Sequence, residues 1–210
     1  MKKISIVTPT YNEEENIEKL CGEIKKEFAK LNYNYEHIVI DNCSTDKTID
    51  ILRDITSKDQ NVKVIINARN YGHIKSPYYG ILQSSGDACI LMVSDFQEPI
   101  DLISQYIKKW EQGSKIILCQ KNNSEENKIF FSLRKLFYYS INKISDTKLN
   151  INTSGTGLFD KEAINRLRKI NDPYPYFRGL VSELGFEIDT IEFYRPLRKH
   201  GSTKNNIFTL

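Results

Sequence analysis

The chain has 210 residues, 40% of them hydrophobic and 11% aromatic, which is enough for one compact domain but not for two of ordinary size. Its 30 lysines and arginines against 27 aspartates and glutamates leave a net charge of only +3, which excludes the strongly basic surface of a nucleic-acid-binding protein. The longest apolar run, residues 88–93, is far shorter than the roughly 20 residues that cross a bilayer. We therefore expect a single domain over residues 1–210 that does not itself cross a membrane.

Cysteine usage and the amino terminus indicate a cytosolic chain. The cysteines are widely spaced and form no CxxC pair, which is typical of reduced thiols; they are Cys21, Cys43, Cys89 and Cys119. The basic start at Met1 is followed by an apolar run that ends at Thr8, too early for the apolar region of a secretory signal. Nothing in this segment directs export.

Apolar strands and amphipathic helices alternate through the first half of the chain. Short β-rich runs predict buried strands at residues 4–7, 37–40, 62–66 and 88–93. Apolar residues at three- and four-residue steps predict helices through residues 17–31, 49–55 and 78–82. Asn12 and Glu15 form a capping-box pattern ahead of the first helix. This alternation predicts an α/β fold, a three-layer sandwich with a mostly parallel central sheet.

The second half of the chain has a less regular pattern. A helix containing Trp110 and a strand at residues 116–119 continue the alternation. Residues 121–128 are polar and without apolar periodicity, which indicates a loop, and residues 130–141 predict an aromatic-rich helix. Short helices and a late strand at residues 187–193 complete the predicted elements.

Polar clusters follow each of the first four predicted strands. In open parallel sheets, ligands bind beyond the carboxyl ends of the strands. The polar segments fall at those ends, at residues 8–13, 41–46, 67–75 and 94–98. This coincidence is the strongest indication of a binding site that the residues give without reference to any known protein.

The segment after the fourth strand carries the first candidate for catalysis. Asp95 follows a buried strand, so its carboxylate is presented at the sheet edge, where a hard divalent cation and a diphosphate could meet it. Such an ion would neutralise the charge that builds on a departing nucleoside diphosphate. The alternative is that Asp95 only caps a helix that starts near Pro99.

Two further segments offer groups that suit a nucleotide. Residues 67–75 place basic groups and a glycine after the third strand, where they could approach a phosphate, although a solvated basic turn has the same composition. Asp41 offers an acceptor for a base or ribose. Ser44, Thr45 and Asp46 are also ordinary helix N-cap residues, and we expect one of them to cap, which leaves Asp41 available.

These segments, taken in order and spacing, resemble glycosyltransferase family 2. The resemblance is narrower to the branch that contains dolichyl-phosphate mannose synthases and bacterial polyprenyl-phosphate sugar transferases. It is carried by Thr8-Pro-Thr-Tyr-Asn-Glu-Glu-Glu-Asn-Ile17, Asp41-Asn-Cys-Ser-Thr-Asp46, Arg69-Asn-Tyr-Gly-His73 and Ser94-Asp-Phe-Gln-Glu-Pro99. Tyr176-Phe-Arg-Gly-Leu180 and Arg198-Lys-His-Gly-Ser-Thr-Lys204 extend it to the end of the chain.

The resemblance implies a GT-A fold and a UDP- or GDP-linked sugar as donor, with inversion at the anomeric carbon by direct displacement. It implies that Asp95 and Gln97 hold Mg²⁺ or Mn²⁺ and that Arg69 and Lys75 act with them in catalysis. The nucleotide-binding residues that it implies are Pro9, Tyr11, Glu13, Asp41, Gly72 and Ser94.

The resemblance also implies a set of cations for the phosphates of donor and acceptor. These are Lys121, Arg134, Arg178, Arg198 and Lys204. For each of them, the alternative is an ordinary solvated surface side chain.

Two departures from the family bear on the acceptor. Val93 stands where the family commonly has the first Asp of Asp-x-Asp, so the ion would depend more on diphosphate oxygens and Gln97. Residues 154–157 stand where the family has Gly-Asp-Phe-Arg, so an acidic residue is missing there. A sugar hydroxyl needs a general base, whereas a phosphate monoester is already anionic at neutral pH. We therefore expect a polyprenyl phosphate acceptor.

Two other functions stay open at this point. The first is transfer to a hydroxyl of a growing saccharide, with Glu98 or Asp160 as the base, and the second is a non-catalytic nucleotide-sugar-binding module. In the resembled branch a membrane anchor follows the region where this chain ends at Leu210, so we expect a soluble fragment without that anchor that works at the cytoplasmic face of the membrane. The sequence is compatible with a homo-oligomer.

Overall fold

The computed structural model describes residues 1–121, 153–170 and 172–193. Its strands are β1 (Lys3–Thr10), β2 (Asn34–Asp41), β3 (Val62–Ile66), β4 (Ala88–Leu91), β5 (Ile116–Lys121), β6 (Thr153–Asp160) and β7 (Ile188–Phe193). Its helices are α1 (Ile17–Phe28), α2 (Thr48–Lys58), α3 (Gly72–Leu82), α4 (Leu102–Glu111), α5 (Lys161–Leu167) and α6 (Phe177–Glu183).

The strands form one sheet in the order β3-β2-β1-β4-β6-β5-β7. β6 runs antiparallel to both of its neighbours, and the other strands share one direction. Thr10 pairs with Asp41, and Val7 pairs with Leu91, so the carboxyl ends of β1, β2 and β4 lie side by side. The prediction of an α/β fold with a mostly parallel sheet is confirmed.

Two apolar clusters bury the two faces of the sheet. Alternate residues of β1 face opposite ways, so Ile6 packs with α1, α2 and α4, while Val7 packs with α3, α5 and α6. Gly80 lets α3 lie close to the sheet, because a Cβ there would come within 2.7 Å of Val7 Cγ1. The result is the predicted three layers, helix on sheet on helix.

The predicted capping box is wrong. α1 begins at Ile17, after an N-cap residue, Asn16, whose side chain makes no capping hydrogen bond. Asn12 instead has a left-handed backbone with φ of 54°, and its side-chain oxygen accepts a hydrogen bond from Thr45 N–H at 2.8 Å. The Asn12 side chain bonds to the neighbouring loop and does not cap the helix. No local sequence pattern predicts such a contact between loops.

The β6 strand was absent from the predicted elements. Its first half is rich in small polar residues, which indicate a loop by composition. Gly157 is needed there because a Cβ would stand 2.1 Å from the Ile117 carbonyl oxygen of β5. The predicted loop at residues 121–128 and the predicted helix at residues 130–141 lie outside the described residues.

No helix in the three described ranges has the length and apolar character needed to cross a membrane.

Candidate active site

The first four strands end at one edge of the sheet, and the polar segment after each of them lies at that edge. We call it the carboxyl edge. β3, β2, β1 and β4 are consecutive neighbours, so their loops are adjacent as well. The clusters that the sequence placed at separate strand ends therefore lie next to one another at one edge.

Hydrogen bonds join the loops after β1 and β2. Asn12 N–H donates to Ser44 Oγ at 2.8 Å, which fixes the segment that carries Tyr11. Asp41 is fully buried at the end of β2, and its carboxylate accepts hydrogen bonds from Ser44 N–H at 2.8 Å and from Ser44 Oγ at 2.5 Å. The Asp41 carboxylate is thus held in place by neutral donors.

Glu13 is buried between these loops and the start of α1. Its N–H donates to Thr48 Oγ1 at 2.9 Å, and its carboxylate accepts from Asn16 Nδ2 at 2.7 Å. Pro9 and Tyr11 are half-buried beside it. The predicted nucleotide-binding residues Pro9, Tyr11 and Glu13 therefore lie at the same edge as Asp41.

Among the three candidate capping residues, Asp46 contacts the start of α2 from one residue before the N-cap residue, Lys47. Its side chain accepts the N–H of Thr48 at 3.0 Å and that of Glu14 at 3.3 Å. Burial would raise the pKa of the Asp46 carboxyl, but the hydrogen bonds from Thr48 and Glu14 outweigh it and lower that pKa. The N-cap residue of α2 is Lys47, which makes no side-chain capping hydrogen bond, so the expectation that Ser44, Thr45 or Asp46 is the N-cap residue is wrong.

Asn42 joins the loops after β2 and β3, and sequence reasoning missed it. Its side-chain oxygen accepts from Tyr71 N–H at 2.8 Å, and its amide donates to Asn70 Oδ1 at 2.7 Å. Asn70 Oδ1 also accepts Gly72 N–H at 2.8 Å. The signal that could have identified this network is three asparagines, at positions 42, 67 and 70, that follow the ends of two neighbouring strands.

The predicted cations of the β3 loop are present at the carboxyl edge. Arg69 is exposed, with its guanidinium carbon 4.2 Å from the centroid of the Tyr71 ring. Lys75 lies in the first turn of α3, and its ammonium nitrogen is 3.8 Å from the Tyr174 ring centroid. Gly72 begins α3 with φ of 83°, a conformation that favours glycine.

Asp95 belongs to a tight turn after β4 and does not cap a helix. Its carboxylate accepts Gln97 N–H at 3.1 Å, while Phe96 between them has a left-handed φ of 55°. α4 starts later, at Leu102, after Asp101 as its N-cap residue. The capping alternative is therefore wrong, and Ser94 is buried just before the turn.

Glu98 and Thr156 are buried together beside this turn. The Thr156 hydroxyl donates to the Glu98 carboxylate, which ties the β4 loop to the start of β6. A Cβ on the adjacent Gly155 would lie 3.9 Å from Arg178 Nε, so Arg178 is at the same edge. The segment that departs from the family's acidic pattern thus contacts Glu98 of the β4 loop and lies near Arg178, a predicted phosphate-binding residue.

Asp160 lies at the opposite edge of the sheet, opposite Ala88 at the amino end of β4. Its carboxylate accepts from Trp110 Nε1 at 2.7 Å, Lys115 Nζ at 3.1 Å and Glu162 N–H at 2.9 Å. Burial would raise the Asp160 pKa, but these hydrogen bonds lower it. Asp160 is therefore structural, and it is wrong as a candidate base.

The remaining predicted phosphate-binding cations are only partly covered by the structure. Lys121 is the last residue of β5, whose carboxyl end also lies at the carboxyl edge. Arg134, Arg198 and Lys204 lie outside the described residues.

The donor atoms at the β4 turn fit a hard divalent cation that a diphosphate helps to hold. Within the described ranges, no group of three or more His, Cys, Asp or Glu side chains could hold a metal by itself. Asp95 and Gln97 supply oxygens at the sheet edge, and Mg²⁺ or Mn²⁺ commonly keeps water and phosphate oxygens as its other ligands. The donor set thus fits the predicted ion only together with a bound diphosphate.

Comparison with known proteins identifies the family of this chain. The family model described as "Glycosyl transferase family 2" matches residues 5–168, which include all four loops of the carboxyl edge. The chain belongs to glycosyl transferase family 2. This membership confirms the resemblance that the motifs carried.

The family 2 relatives of this chain include both uncharacterized and named enzymes. It is 31% identical over 202 residues to an uncharacterized glycosyltransferase, YkcC, of Bacillus subtilis (strain 168), covering 95% of this chain and 62% of that protein. It is 30% identical over 206 residues to the bactoprenol glucosyl transferase of Shigella phage SfV, covering 97% of this chain and 67% of that protein. The chain thus spans about two thirds or less of the length of these relatives.

Solved structures of GT-A glycosyltransferases share this fold. Glucosyl-3-phosphoglycerate synthase from Mycobacterium tuberculosis, solved with Mn²⁺, UDP and phosphoglyceric acid, has a TM-score of 0.67 at 20% identity and covers 96% of this chain and 72% of that one. The mannosyltransferase PcManGT from Pyrobaculum calidifontis, solved with GDP-Man and Mn²⁺, has a TM-score of 0.57 at 16% identity and covers 91% of this chain and 55% of that one. At such identities the likeness establishes the fold.

Proposed function

We propose that this chain transfers a sugar from a UDP- or GDP-linked donor to polyprenyl phosphate, with inversion and with the help of a divalent metal ion. The observation that carries the proposal is the convergence of the four strand-end loops, with Asp41, Asp95 and Arg69, at one edge of the sheet. Relatives named bactoprenol glucosyl transferases, at 30% identity, support the lipid phosphate as acceptor.

The proposed step is a single displacement at the anomeric carbon. A phosphate oxygen of the acceptor forms a bond to that carbon while the bond from the carbon to the donor's diphosphate breaks. The electron pair of the broken bond leaves with the nucleoside diphosphate. One displacement inverts the anomeric configuration, and no proton has to be removed from an anionic phosphate.

Asp41, Glu13, Tyr11 and Pro9 are assigned to the base and ribose in this proposal. The Ser44 hydrogen bonds hold the Asp41 carboxylate in one orientation before any ligand arrives, which lowers the entropy cost of binding. Gly72 and Ser94 are assigned to the same nucleotide. The Asn42 network fixes the β3 loop that carries Arg69.

Asp95 and Gln97 are assigned to the metal ion, which when bound would supply positive charge next to the leaving diphosphate. Arg69 and Lys75 add positive charge from the β3 loop and α3. Arg178, beside Gly155, is assigned to the acceptor phosphate, together with the predicted cations Lys121, Arg134, Arg198 and Lys204.

The structure weakens the two candidate bases of the alternative, transfer to a saccharide hydroxyl. Asp160 lies at the far edge of the sheet, and Glu98 is buried and accepts the Thr156 hydroxyl. An anionic acceptor needs neither. We therefore favour the phosphate acceptor, with the chemistry taking place at the cytoplasmic face of a membrane.

Calorimetric titration with UDP and GDP, each with and without Mn²⁺, tests the donor site. We expect one nucleotide to bind in a metal-dependent manner and Asp95→Asn to remove the metal dependence. Binding of a nucleotide without metal dependence and without turnover would instead favour the non-catalytic module.

Chemical labelling of Cys43 gives an independent measurement of nucleotide binding. It lies in the loop after Asp41 and is the one cysteine that is not buried, while burial raises the pKa of Cys21 and of Cys89 to about 12. A maleimide should therefore label Cys43, and bound nucleotide should slow the labelling. An unchanged rate at saturating nucleotide would place the nucleotide elsewhere.

The acceptor is tested by offering polyprenyl phosphate and a soluble saccharide side by side with the preferred donor. We expect lipid-linked sugar and no saccharide product. Product on the saccharide alone would overturn the assignment of the acceptor while leaving the donor site intact.

A further inference from the structure

Most of the exposed large hydrophobic side chains lie in the segment from the end of β3 through α3 and in the segment before α6, and these two segments meet where Lys75 lies over the Tyr174 ring. In the described ranges, all of them except Met1 lie between the end of β3 and the start of α6, and they are Ile66, Tyr71, Ile74, Tyr79, Tyr174 and Tyr176. Soluble proteins rarely gather exposed apolar residues in this way without a partner. Four of the six are tyrosines.

Tyr71, Lys75 and Tyr79 follow one another at four-residue steps, so they share one side of α3. On this side Tyr71 and Tyr79 are exposed and Lys75 is half-buried, whereas Pro77 and Ile81 are buried on the other side of the helix. Tyr79 is 48% exposed and Tyr71 is 40% exposed. This stripe of side chains begins in the loop after β3, which carries Arg69, and continues along α3.

Tyr174 extends this stripe from the segment before α6. It is 78% exposed, and its ring centroid lies 3.8 Å from Lys75 Nζ. Arg69 stacks on Tyr71 in the same manner at 4.2 Å. Tyr71, Lys75, Tyr79 and Tyr174 form what we call the tyrosine–lysine patch.

We propose that the tyrosine–lysine patch is the surface by which this chain docks on a lipid bilayer with anionic headgroups. Tyrosine rings prefer the boundary between water and lipid, where the ring meets apolar chains and the hydroxyl stays hydrated. Lysine adds attraction to anionic lipids while its stem lies along the rings. The inference rests on the proposed function, since a lipid acceptor requires the site to face a membrane.

The charge of the patch favours a bilayer over a second copy of the chain. In a symmetric dimer through this surface, the same patch of both copies enters one interface, so Lys75 and Arg69 of both copies would be gathered there. Asp172, whose carboxylate accepts Tyr174 N–H at 2.8 Å, adds one negative charge beside the two cations Lys75 and Arg69 and leaves the positive charge in excess. An anionic headgroup layer complements these cations, whereas a like surface repels them.

Docking through the patch would place the carboxyl edge of the sheet at the level of the lipid headgroups. Lys75 belongs both to the patch and to the residues assigned to the donor, so docking would bring the carboxyl edge of the sheet to the headgroup layer. The phosphate of a membrane-embedded lipid lies in that layer.

Co-sedimentation of the 210-residue chain with vesicles tests the proposal. One vesicle preparation is phosphatidylcholine alone and the other contains phosphatidylglycerol as well. We expect binding to the anionic vesicles, weakened by salt, and a decrease of about tenfold or more in the Tyr79→Ser/Tyr174→Ser double variant. Tyr33→Ser, a tyrosine near Trp110 on the opposite face of the sheet, is the control and should bind as the parent chain does.

Nucleotide titration of the same double variant separates this inference from the proposed function. We expect unchanged nucleotide affinity, since neither tyrosine is assigned to the donor. Equal vesicle binding by the double variant and the parent chain, or no binding by the parent chain, would overturn the inference whatever the titration gives. Sedimentation velocity that finds a dimer lost in the double variant would overturn it in favour of a subunit interface.

Discussion

The two edges of the sheet both carry carboxylates that accept hydrogen bonds, but their surroundings differ. Toward the amino ends of the strands, Glu36 accepts from Lys63 Nζ at 2.7 Å and Lys3 Nζ at 3.1 Å, together with Ser5 Oγ at 2.6 Å. At the carboxyl edge, Asp41 accepts only from Ser44 and Asp95 only from Gln97 N–H, within the part of the chain that the structure describes.

This difference separates structural carboxylates from available ones. A lysine-paired carboxylate has its charge compensated within the fold, so it stabilises the fold and attracts no ligand. A carboxylate that is oriented by neutral donors has no compensating positive charge within the fold. It can therefore bind a cation or a polar ligand. The comparison gives four predictions, in order of decreasing effect.

Asp95→Asn should reduce sugar transfer by about 1,000-fold, because an amide is a poor ligand for a divalent cation next to the departing diphosphate. Initial rates at saturating Mn²⁺ measure the effect, and urea unfolding should change by less than about 0.5 kcal/mol. Asp101→Asn, an exposed aspartate at the start of α4, is the matched control and should retain the activity. Equal rates for the two variants would contradict a catalytic role for Asp95.

Glu36→Gln should lower the free energy of unfolding by about 2 kcal/mol at pH 7 with transfer activity retained, because two lysines lose their shared partner. Burial would raise the Glu36 pKa, but hydrogen bonds from Lys63, Ser5 and Ser85 lower it well below its usual range. Because the folded-state pKa is the lower one, this stabilisation is complete above about pH 4.3, the unfolded value, and is lost as pH falls below it.

Urea unfolding of the Glu36→Gln variant and the parent chain at pH 7 and pH 3 tests the sign. The difference in the free energy of unfolding between the variant and the parent chain should be smaller at pH 3 than at pH 7. Glu27→Gln is the control, since Glu27 pairs with a single, largely exposed lysine, Lys30, and should change the stability by less than about 1 kcal/mol. A difference that grows with falling pH would contradict the assignment.

Asp41→Asn should weaken nucleotide binding about tenfold, because the amide replaces an oriented acceptor with a group that carries no charge and offers one acceptor fewer. Calorimetry measures it, with thermal unfolding as a check on folding. Asp50→Asn on the exposed side of α2 should leave the affinity unchanged. Undiminished binding by folded Asp41→Asn protein would remove Asp41 from the donor site.

Asp160→Asn should change transfer by no more than about twofold and lower the free energy of unfolding by about 1 kcal/mol, because it loses part of the bonding to Trp110 and Lys115. Glu162→Gln, an exposed neighbour, is the control. A loss of activity of 100-fold or so without a loss of stability would restore Asp160 as a catalytic base.

Local sequence patterns predicted the parts of the fold whose neighbours along the chain are also neighbours in space. The alternation of strands and helices from β1 to β4 is of this kind, and it located the four strand-end loops correctly. The predicted capping box failed, because Asn12 bonds to Thr45 in another loop. β6 was missed because its small residues serve close packing against β5, as Gly157 does, and leave no apolar alternation.

The sequence by itself determined that this chain is an α/β protein of glycosyl transferase family 2, because hydrophobic periodicity and motif order are properties of the linear chain. Only the tertiary structure decided which carboxylates are available. Asp160 and Asp95 are equally good candidates by residue type, yet the antiparallel direction of β6 puts Asp160 at the amino edge beside Lys115. The register and direction of strand pairing are long-range properties, so they, rather than local composition, assign a charged side chain to the fold or to the site.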